Sequence, residues 1–318
     1  MNVLIVKTSS LGDVVHTLPA LTDAKNAIPD ISFDWVVEED FAEIPEWHKA
    51  VKNVIPVAWR RWRKNLIKAL VSGELKSFLK TLRQKKYDLI IDAQGLIKSA
   101  IITKIARGTS YGYDKNSARE PQAAFLYKNK IAVAKDQHAI ARIRQLFAAA
   151  LKYEMPNTDP NYGINTQLFP PPNNNEKYMV FFHGTSREEK CWHEQKWIDL
   201  AQFATANGFI VYLPWGNNIE LARAKRIAQN NNQAKVLPKL SLAAIVALLQ
   251  SAKGAVAVDT GLGHVAAALG VPTISLYGST DPELIGAIGA NQIHMTDFEQ
   301  VEAADVWQTI KNCQLIGA

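Results

Sequence analysis

Short apolar runs rich in Val and Ile alternate along this chain with longer stretches of helical spacing, and no other feature restricts its fold as strongly. In the first half the runs fall at residues 3–6, 33–37, 54–57 and 89–91, with helix-patterned stretches at 14–27, 76–86, 96–106 and 138–151. Strands that are apolar throughout must be covered on both faces, so strand–helix alternation predicts a parallel, doubly wound α/β sheet. Residues 157–177 contain Pro170-Pro171-Pro172 and Asn173-Asn174-Asn175, which interrupt helix and strand alike and mark a linker. Alternation then restarts. Strands are expected at 178–182, 209–213, 235–237, 254–258 and 272–277, and helices at 195–207, 218–230, 242–251 and 263–269. A chain of 318 residues suits two cores better than one. The expected fold is therefore α/β, with doubly wound Rossmann-like domains at 1–165 and 176–318 facing each other across a cleft. The pattern leaves open whether the last helix, near 302–315, crosses back to the first domain. Open α/β sheets bind ligands at the carboxyl ends of their strands, so function is expected in that cleft.

Composition narrows the partners. Hydrophobic residues make up 47% and charged residues 21%, ordinary values for a globular protein. Cys191 and Cys313 have no spacing that suggests a zinc site or a disulfide framework, and a reducing compartment is expected. Residues 2–7 lack the basic region and cleavage site of a signal peptide and read as a first strand. No window holds the roughly 18 apolar residues needed to span a bilayer, so membrane contact is expected to be peripheral. The net charge of +6 is unevenly placed. Arg60-Arg61-Trp62-Arg63-Lys64 is followed by Lys76, Lys80, Arg83, Lys85 and Lys86. Such a patch suits nucleic acid, an anionic lipid surface or a phosphorylated substrate, although a charge run alone is more often a solvated helix face.

Three strand ends carry candidate chemistry. After residues 3–6, Gly12 and Asp13 lie at the start of a helix, where a carboxylate could take a proton from an attacking hydroxyl or merely cap the helix. The Gly-Lys-Ser/Thr ending of a P-loop is missing there. After residues 178–182, Thr185, Ser186 and Lys190 supply the donors and positive charge that a diphosphate needs. After residues 254–258, Asp259, Thr260, Gly261 and His264 open a helix of small residues whose N–H groups can face an anion. The turn at residues 277–282 repeats this logic more weakly. No Asp-x-Asp pair ends a strand, so neither metal nor cofactor is expected.

Taken together and in order, Lys7-Thr8-Ser9-Ser10-Leu11-Gly12-Asp13-Val14, Asp92-Ala93-Gln94-Gly95-Leu96, Leu213-Pro214-Trp215-Gly216, Asp259-Thr260-Gly261-Leu262-Gly263-His264 and Tyr277-Gly278-Ser279-Thr280-Asp281-Pro282 resemble the lipopolysaccharide heptosyltransferases, glycosyltransferase family 9. Within that family the resemblance is strongest to the type I members, and it runs from Met1 to near the end of the chain. It implies a GT-B fold and inverting transfer of L-glycero-D-manno-heptose from ADP-heptose to the Kdo sugars of Kdo2-lipid A. It also implies an enzyme held peripherally at the cytoplasmic face of the inner membrane, with no nucleic-acid partner. The same resemblance assigns the catalytic base to Asp13 and the donor contacts to Thr185, Ser186, Lys190, Glu220, Leu240, Asp259, Thr260, Gly261 and His264. Acceptor-binding cations fall on Arg60, Arg61, Arg63, Lys64 and Arg119. The rivals are a type II heptosyltransferase, a nucleotide-sugar epimerase of the same two-domain architecture, and a non-catalytic glycolipid or nucleic-acid binder.

Overall fold

The computed structural model describes residues 1–172, 176–185 and 187–312, and the chain divides into two compact units, Met1–Asn165 and Thr166–Ala318. Each unit is built on a parallel six-stranded sheet. In the first, β1 (Asn2–Val6), β2 (Ser32–Glu38), β3 (Val51–Val57), β4 (Leu89–Asp92), β5 (Thr109–Tyr113) and β6 (Asn129–Ile131) lie in the order β3-β2-β1-β4-β5-β6. In the second, β7 (Tyr178–Phe182), β8 (Ile210–Leu213), β9 (Ala234–Val236), β10 (Gly254–Val258), β11 (Thr273–Leu276) and β12 (Gln292–Met295) lie in the order β12-β11-β10-β7-β8-β9. Both sheets follow one path. The chain starts in the middle, winds outward through three strands, returns to the middle and winds outward the other way. The reversal falls between β1 and β4 in the first sheet and between β7 and β10 in the second. At such switch points the connections leave in opposite directions and open a crevice at the strands' carboxyl ends.

The covering helices of the first unit are α1 (Leu11–Val15), α2 (Leu18–Ala27), α3 (Glu43–Glu46), α4 (Trp59–Trp62), α5 (Leu66–Val71), α6 (Glu74–Leu82), α7 (Ile97–Ile105) and α8 (Ala139–Leu151). Those of the second are α9 (Glu194–Ala206), α10 (Asn218–Ile227), α11 (Leu242–Leu249), α12 (Gly261–Ala268), α13 (Pro282–Ile285) and α14 (Ala303–Asn312). Sandwiched between helix layers, Val3 to Val6 of β1 and Val256 to Val258 of β10 are buried, which is why these strands read as unbroken apolar runs. Trp192, Trp197, Phe181 and Trp307 fill one core of the second unit, and α14 packs there against α9. Through Asn312 the last helix thus belongs with the second unit.

Several local expectations are revised. The helix expected at 14–27 is two helices, α1 and α2, because Thr17 turns its hydroxyl back to the Asp13 carbonyl at 3.0 Å and Pro19 occupies the first turn of α2. The strands β5, β6 and β12 were not legible in the sequence. The stretch read as a linker at 157–177 is in part tied down. Ile164 bridges to His48, Tyr162 and Phe169 are buried, and the buried Arg144 donates to the carbonyls of Pro156 and Thr158 while pairing with Asp23 at 2.6 Å. Asn173, Asn174 and Asn175 lie outside the described residues.

Candidate active site

At the switch point of the first sheet, the loop leaving β1 is laced to the loop leaving β4. The Oε1 of Gln94 accepts hydrogen bonds from the backbone N–H of Thr8 at 2.9 Å and of Ser9 at 3.1 Å. Gln94 is itself set by the buried Asp92, whose Oδ1 accepts from the N–H groups of Gln94 at 2.8 Å and Gly95 at 3.1 Å, and whose Oδ2 accepts from the Tyr127 hydroxyl at 2.8 Å. The buried Lys7 donates from Nζ to the Ala93 carbonyl at 3.1 Å and stands 3.4 Å from Oδ1 of Asp13. Oδ2 of Asp13 accepts from the Ser10 N–H at 2.8 Å and the Ser10 hydroxyl at 3.0 Å. Burial opposes the charge on Asp13, but Lys7, the two bonds from Ser10 and a smaller attraction from Arg119 outweigh it and hold its carboxyl below the ordinary carboxylate range. Asp13 is therefore ionised at neutral pH with 32% of its side chain exposed. The helix-capping role weighed for Asp13 is real, and it leaves Oδ1 facing only a long contact to Lys7.

The cations expected beside this site fall into two groups. Arg61 is matched twice, donating through Nε and Nη2 to Glu39 at 3.0 and 3.1 Å and through Nη1 to Glu74 at 2.7 Å. Glu74 also accepts from the indole of the buried Trp62 at 2.9 Å, so Arg61 anchors α4 to α6 and is not a spare charge. Arg60 lies over the Phe41 ring at 5.0 Å and makes only a loose contact with Asp40 at 3.6 Å. Arg63, Lys64 and Arg119 are exposed, and among the described residues none of them makes an ion pair. The segment 118–120 is held over the β4–α7 turn by Glu120, whose N–H donates to Gly95 and whose carboxylate accepts from the Ile97 N–H at 2.6 Å, and this brings Arg119 into the field of Asp13.

Two groups here escaped sequence reasoning. Glu38, at the end of β2, accepts the Arg60 N–H at 2.7 Å, and burial pushes its carboxyl up despite that bond. Lys98, in α7, reaches the Ser9 hydroxyl at 3.5 Å, and burial lowers its ammonium while Glu38 favours the charge. Neither residue belongs to a local pattern that could have flagged it.

The second switch point is laced in the same manner. The Thr185 hydroxyl donates to the Asp259 carbonyl at 2.9 Å, joining the loop after β7 to the loop after β10. Oδ2 of Asp259 takes Lys190 Nζ at 2.5 Å and the Thr280 hydroxyl at 2.6 Å, so three expected strand-end turns converge on one carboxylate. Thr280 lies in the turn whose signal was weakest, and it was not singled out. Thr260 occupies the N-cap position of α12 without a side-chain cap bond, and Gly261 opens the helix. The first-turn N–H groups of a helix lack intrahelical partners and attract anions. A Cβ on Gly263 would sit 3.1 Å from that of Ala257, so the small residue lets α12 seat closely on β10. His264 is buried in the first turn of α12. Ser186 lies outside the described residues.

Glu220 sits at the start of α10, where its carboxylate accepts from the Gly216 N–H at 2.6 Å and the Asn217 side chain at 2.8 Å. Any Cβ at position 184 would come within 2.6 Å of that carboxylate, so Gly184 makes room for it beside the end of β7. Leu240 is half-buried in the loop after β9, which the Trp215 indole ties to the turn after β8 through the Leu237 carbonyl at 2.7 Å. His183 is fully buried. Burial, aided by nearby Arg223, pushes its imidazole down to about 4, and Arg223 spans the His183 carbonyl and the Cys191 sulfur. Both residues belong to the packing beneath the loop. Among the described residues no group of three or more His, Cys, Asp or Glu could hold a metal ion, and no helix is long and apolar enough to cross a membrane.

Two doubly wound sheets, each with polar groups gathered at its own switch point, are the architecture of the GT-B fold. A model of glycosyltransferase family 9 (heptosyltransferase) matches residues 75–313, and the chain belongs to that family. It is 53% identical over 300 residues to lipopolysaccharide heptosyltransferase 1 of Pseudomonas aeruginosa, across 94% of this chain and 84% of that protein. Among solved structures it is similar to Escherichia coli heptosyltransferase WaaC with ADP, at a TM-score of 0.94 and 49% identity over 98% of this chain and 100% of the other. WaaC with ADP-2-deoxy-2-fluoro heptose gives a TM-score of 0.91 at 48% identity, over 98% of this chain and 99% of the other. The chain is thus a glycosyltransferase, which sets aside the epimerase and the non-catalytic binder.

Proposed function

We propose that the protein is an inverting transferase that moves L-glycero-D-manno-heptose from ADP-heptose to the Kdo region of Kdo2-lipid A, in assembly of the lipopolysaccharide inner core. The observation that carries this reading is the convergence of Thr185, Lys190 and Thr280 on Asp259, in a chain 48% identical to a transferase solved with an ADP-heptose analogue. The first unit takes the acceptor and the second the donor. Asp13 removes the proton of the acceptor hydroxyl as its oxygen attacks the anomeric carbon and the bond to ADP breaks. Negative charge then grows on the departing diphosphate, where Lys190 and the N–H groups of Thr260 and Gly261 at the start of α12 neutralise it.

Glu220 accepts from the ribose hydroxyls and Leu240 packs against the base, while Thr185, Ser186, Asp259 and His264 complete the donor contacts. Arg60, Arg63, Lys64 and Arg119 bind the acceptor's carboxylates and phosphates, and Arg61 acts by fixing the shape of their segment. The protein works peripherally at the cytoplasmic face of the inner membrane, where such an acceptor is made. Identity of 53% to a type 1 enzyme favours this activity over that of a type II heptosyltransferase.

Incubation with ADP-heptose and Kdo2-lipid A, with ADP release as the readout, tests the proposal. Release should require the acceptor. Release without it, or none with it, would overturn the reading.

A further inference from the structure

Helix α5 (Leu66–Val71) inverts the ordinary logic of a surface helix. Ile67, Leu70 and Val71 are spaced i, i+3 and i+4 and form one stripe, yet they are 76%, 57% and 83% exposed, while Ala69 is buried. An amphipathic helix on a globular protein normally turns such a stripe inward. Cations lie on its own segment and along the next helix. Arg63, Lys64 and Lys68 are exposed on the same segment, and Lys76, Lys80 and Arg83 line a shallow depression on α6, against which α5 packs.

An exposed apolar stripe with Lys and Arg on its own and the adjacent helix combines the two attractions of an interfacial membrane element, burial of aliphatic surface at the acyl boundary and attraction of cations to acidic headgroups. We propose that α5, with the cations beside it, is the surface by which this protein sits on an anionic phospholipid bilayer. The proposal rests on the reading that the acceptor is lipid-anchored and specifies which surface meets the membrane. A second copy of the chain fits this surface poorly, since a two-fold contact would set the cations of this segment against themselves. Nucleic acid fits poorly too, because exposed Ile, Leu and Val offer its bases neither aromatic stacking nor hydrogen bonds.

Flotation of the full chain with vesicles of phosphatidylcholine, alone or mixed with phosphatidylglycerol, tests the proposal. Wild type should bind the mixed vesicles and bind neutral ones far less. I67S/L70S/V71S should lower partitioning roughly 10- to 100-fold at unchanged thermal stability, and K68E/K76E/K80E should abolish the preference for acidic lipid. With ADP-heptose, I67S/L70S/V71S should match wild type on a water-soluble Kdo acceptor lacking acyl chains and fall behind it on vesicle-embedded Kdo2-lipid A. The proposal is overturned if the serine variant partitions like wild type, if neutral and acidic vesicles bind equally, or if wild type is a dimer that the variant dissociates. Failure of wild type to act on either acceptor would instead sink the enzymatic reading, and the vesicle result would still decide the surface.

Discussion

At the end of β1, Lys7 donates to a backbone carbonyl and stands 3.4 Å from Asp13, whereas at the corresponding edge of the second sheet Lys190 closes to 2.5 Å on Asp259. The side chain of Asp13 is 32% exposed and that of Asp259 only 11%. Both units follow the same strand order, and both stitch the loop after their first strand to the loop after their fourth. What differs is which partner the carboxylate and the lysine serve. In the first unit the lysine is buried and the carboxylate offers an oxygen, which suits a proton acceptor. In the second the carboxylate is largely enclosed between a lysine and a threonine, which fixes a cation at the strand end, as the proposed diphosphate contact requires. One topology thus leaves a carboxylate reachable in one unit and a lysine in the other, the difference on which the proposed roles of base and anion site rest.

The contrast breaks most directly at Asp13. Asp13→Asn keeps the cap bonds and removes the base, so turnover should fall about 10²- to 10⁴-fold with ADP affinity unchanged by calorimetry. Near-normal turnover would mean that this carboxylate only caps α1. Lys190→Met should lower kcat by about 10²- to 10³-fold and also weaken ADP binding, and that double signature separates the second switch point from the first. Stability offers a third comparison, because each unit holds a buried histidine whose charged form burial disfavours. His48 and His183 are each pushed down to about 4, chiefly by burial, from an ordinary value of 6.5. As pH falls from 6.5 toward 4 the unfolded chain gains protons that the folded chain refuses, so stability is lost across that window and the loss levels off below it. At about 1.36 kcal/mol per pH unit the gap amounts to roughly 3 kcal/mol for each histidine. Urea unfolding across that range should show it, and His48→Gln should flatten the response of the first unit alone. The smallest effect belongs to Lys7→Met. Lys7 holds the Asp13 carboxyl down, so its loss should move the acid limb of the rate profile to higher pH, while turnover above that limb stays within about ten-fold of wild type. An unmoved limb would show that Lys7 serves only the Ala93 carbonyl.

The central strands were plain in the sequence because residues 3–6 and 254–258 are apolar throughout, as a strand covered on both faces must be. The outer strands were not. Thr109 to Tyr113 mixes Thr, Ser and Gly with Tyr, and β12 is only half-buried, so neither pays the entropy of extension with a visible apolar run. Lys190, Asp259 and Thr260 stood out because a glycine-rich turn after a buried strand is a local signal. Thr280 joined them only through a bond spanning 21 positions. The run from Arg60 to Lys64 showed its charge but not its pairing, since Glu39 and Glu74, which neutralise Arg61, lie in other segments.

The amide of Gln94 has a consequence for how mutations in this chain are read. A single oxygen atom fixes two successive peptide groups of the β1 loop from as far as 86 positions away, and it is aimed in turn by Asp92 and Tyr127. None of these three side chains belongs to the proposed reacting groups. Substitutions among them would present as catalytic lesions in a protein whose reactive residues are all intact.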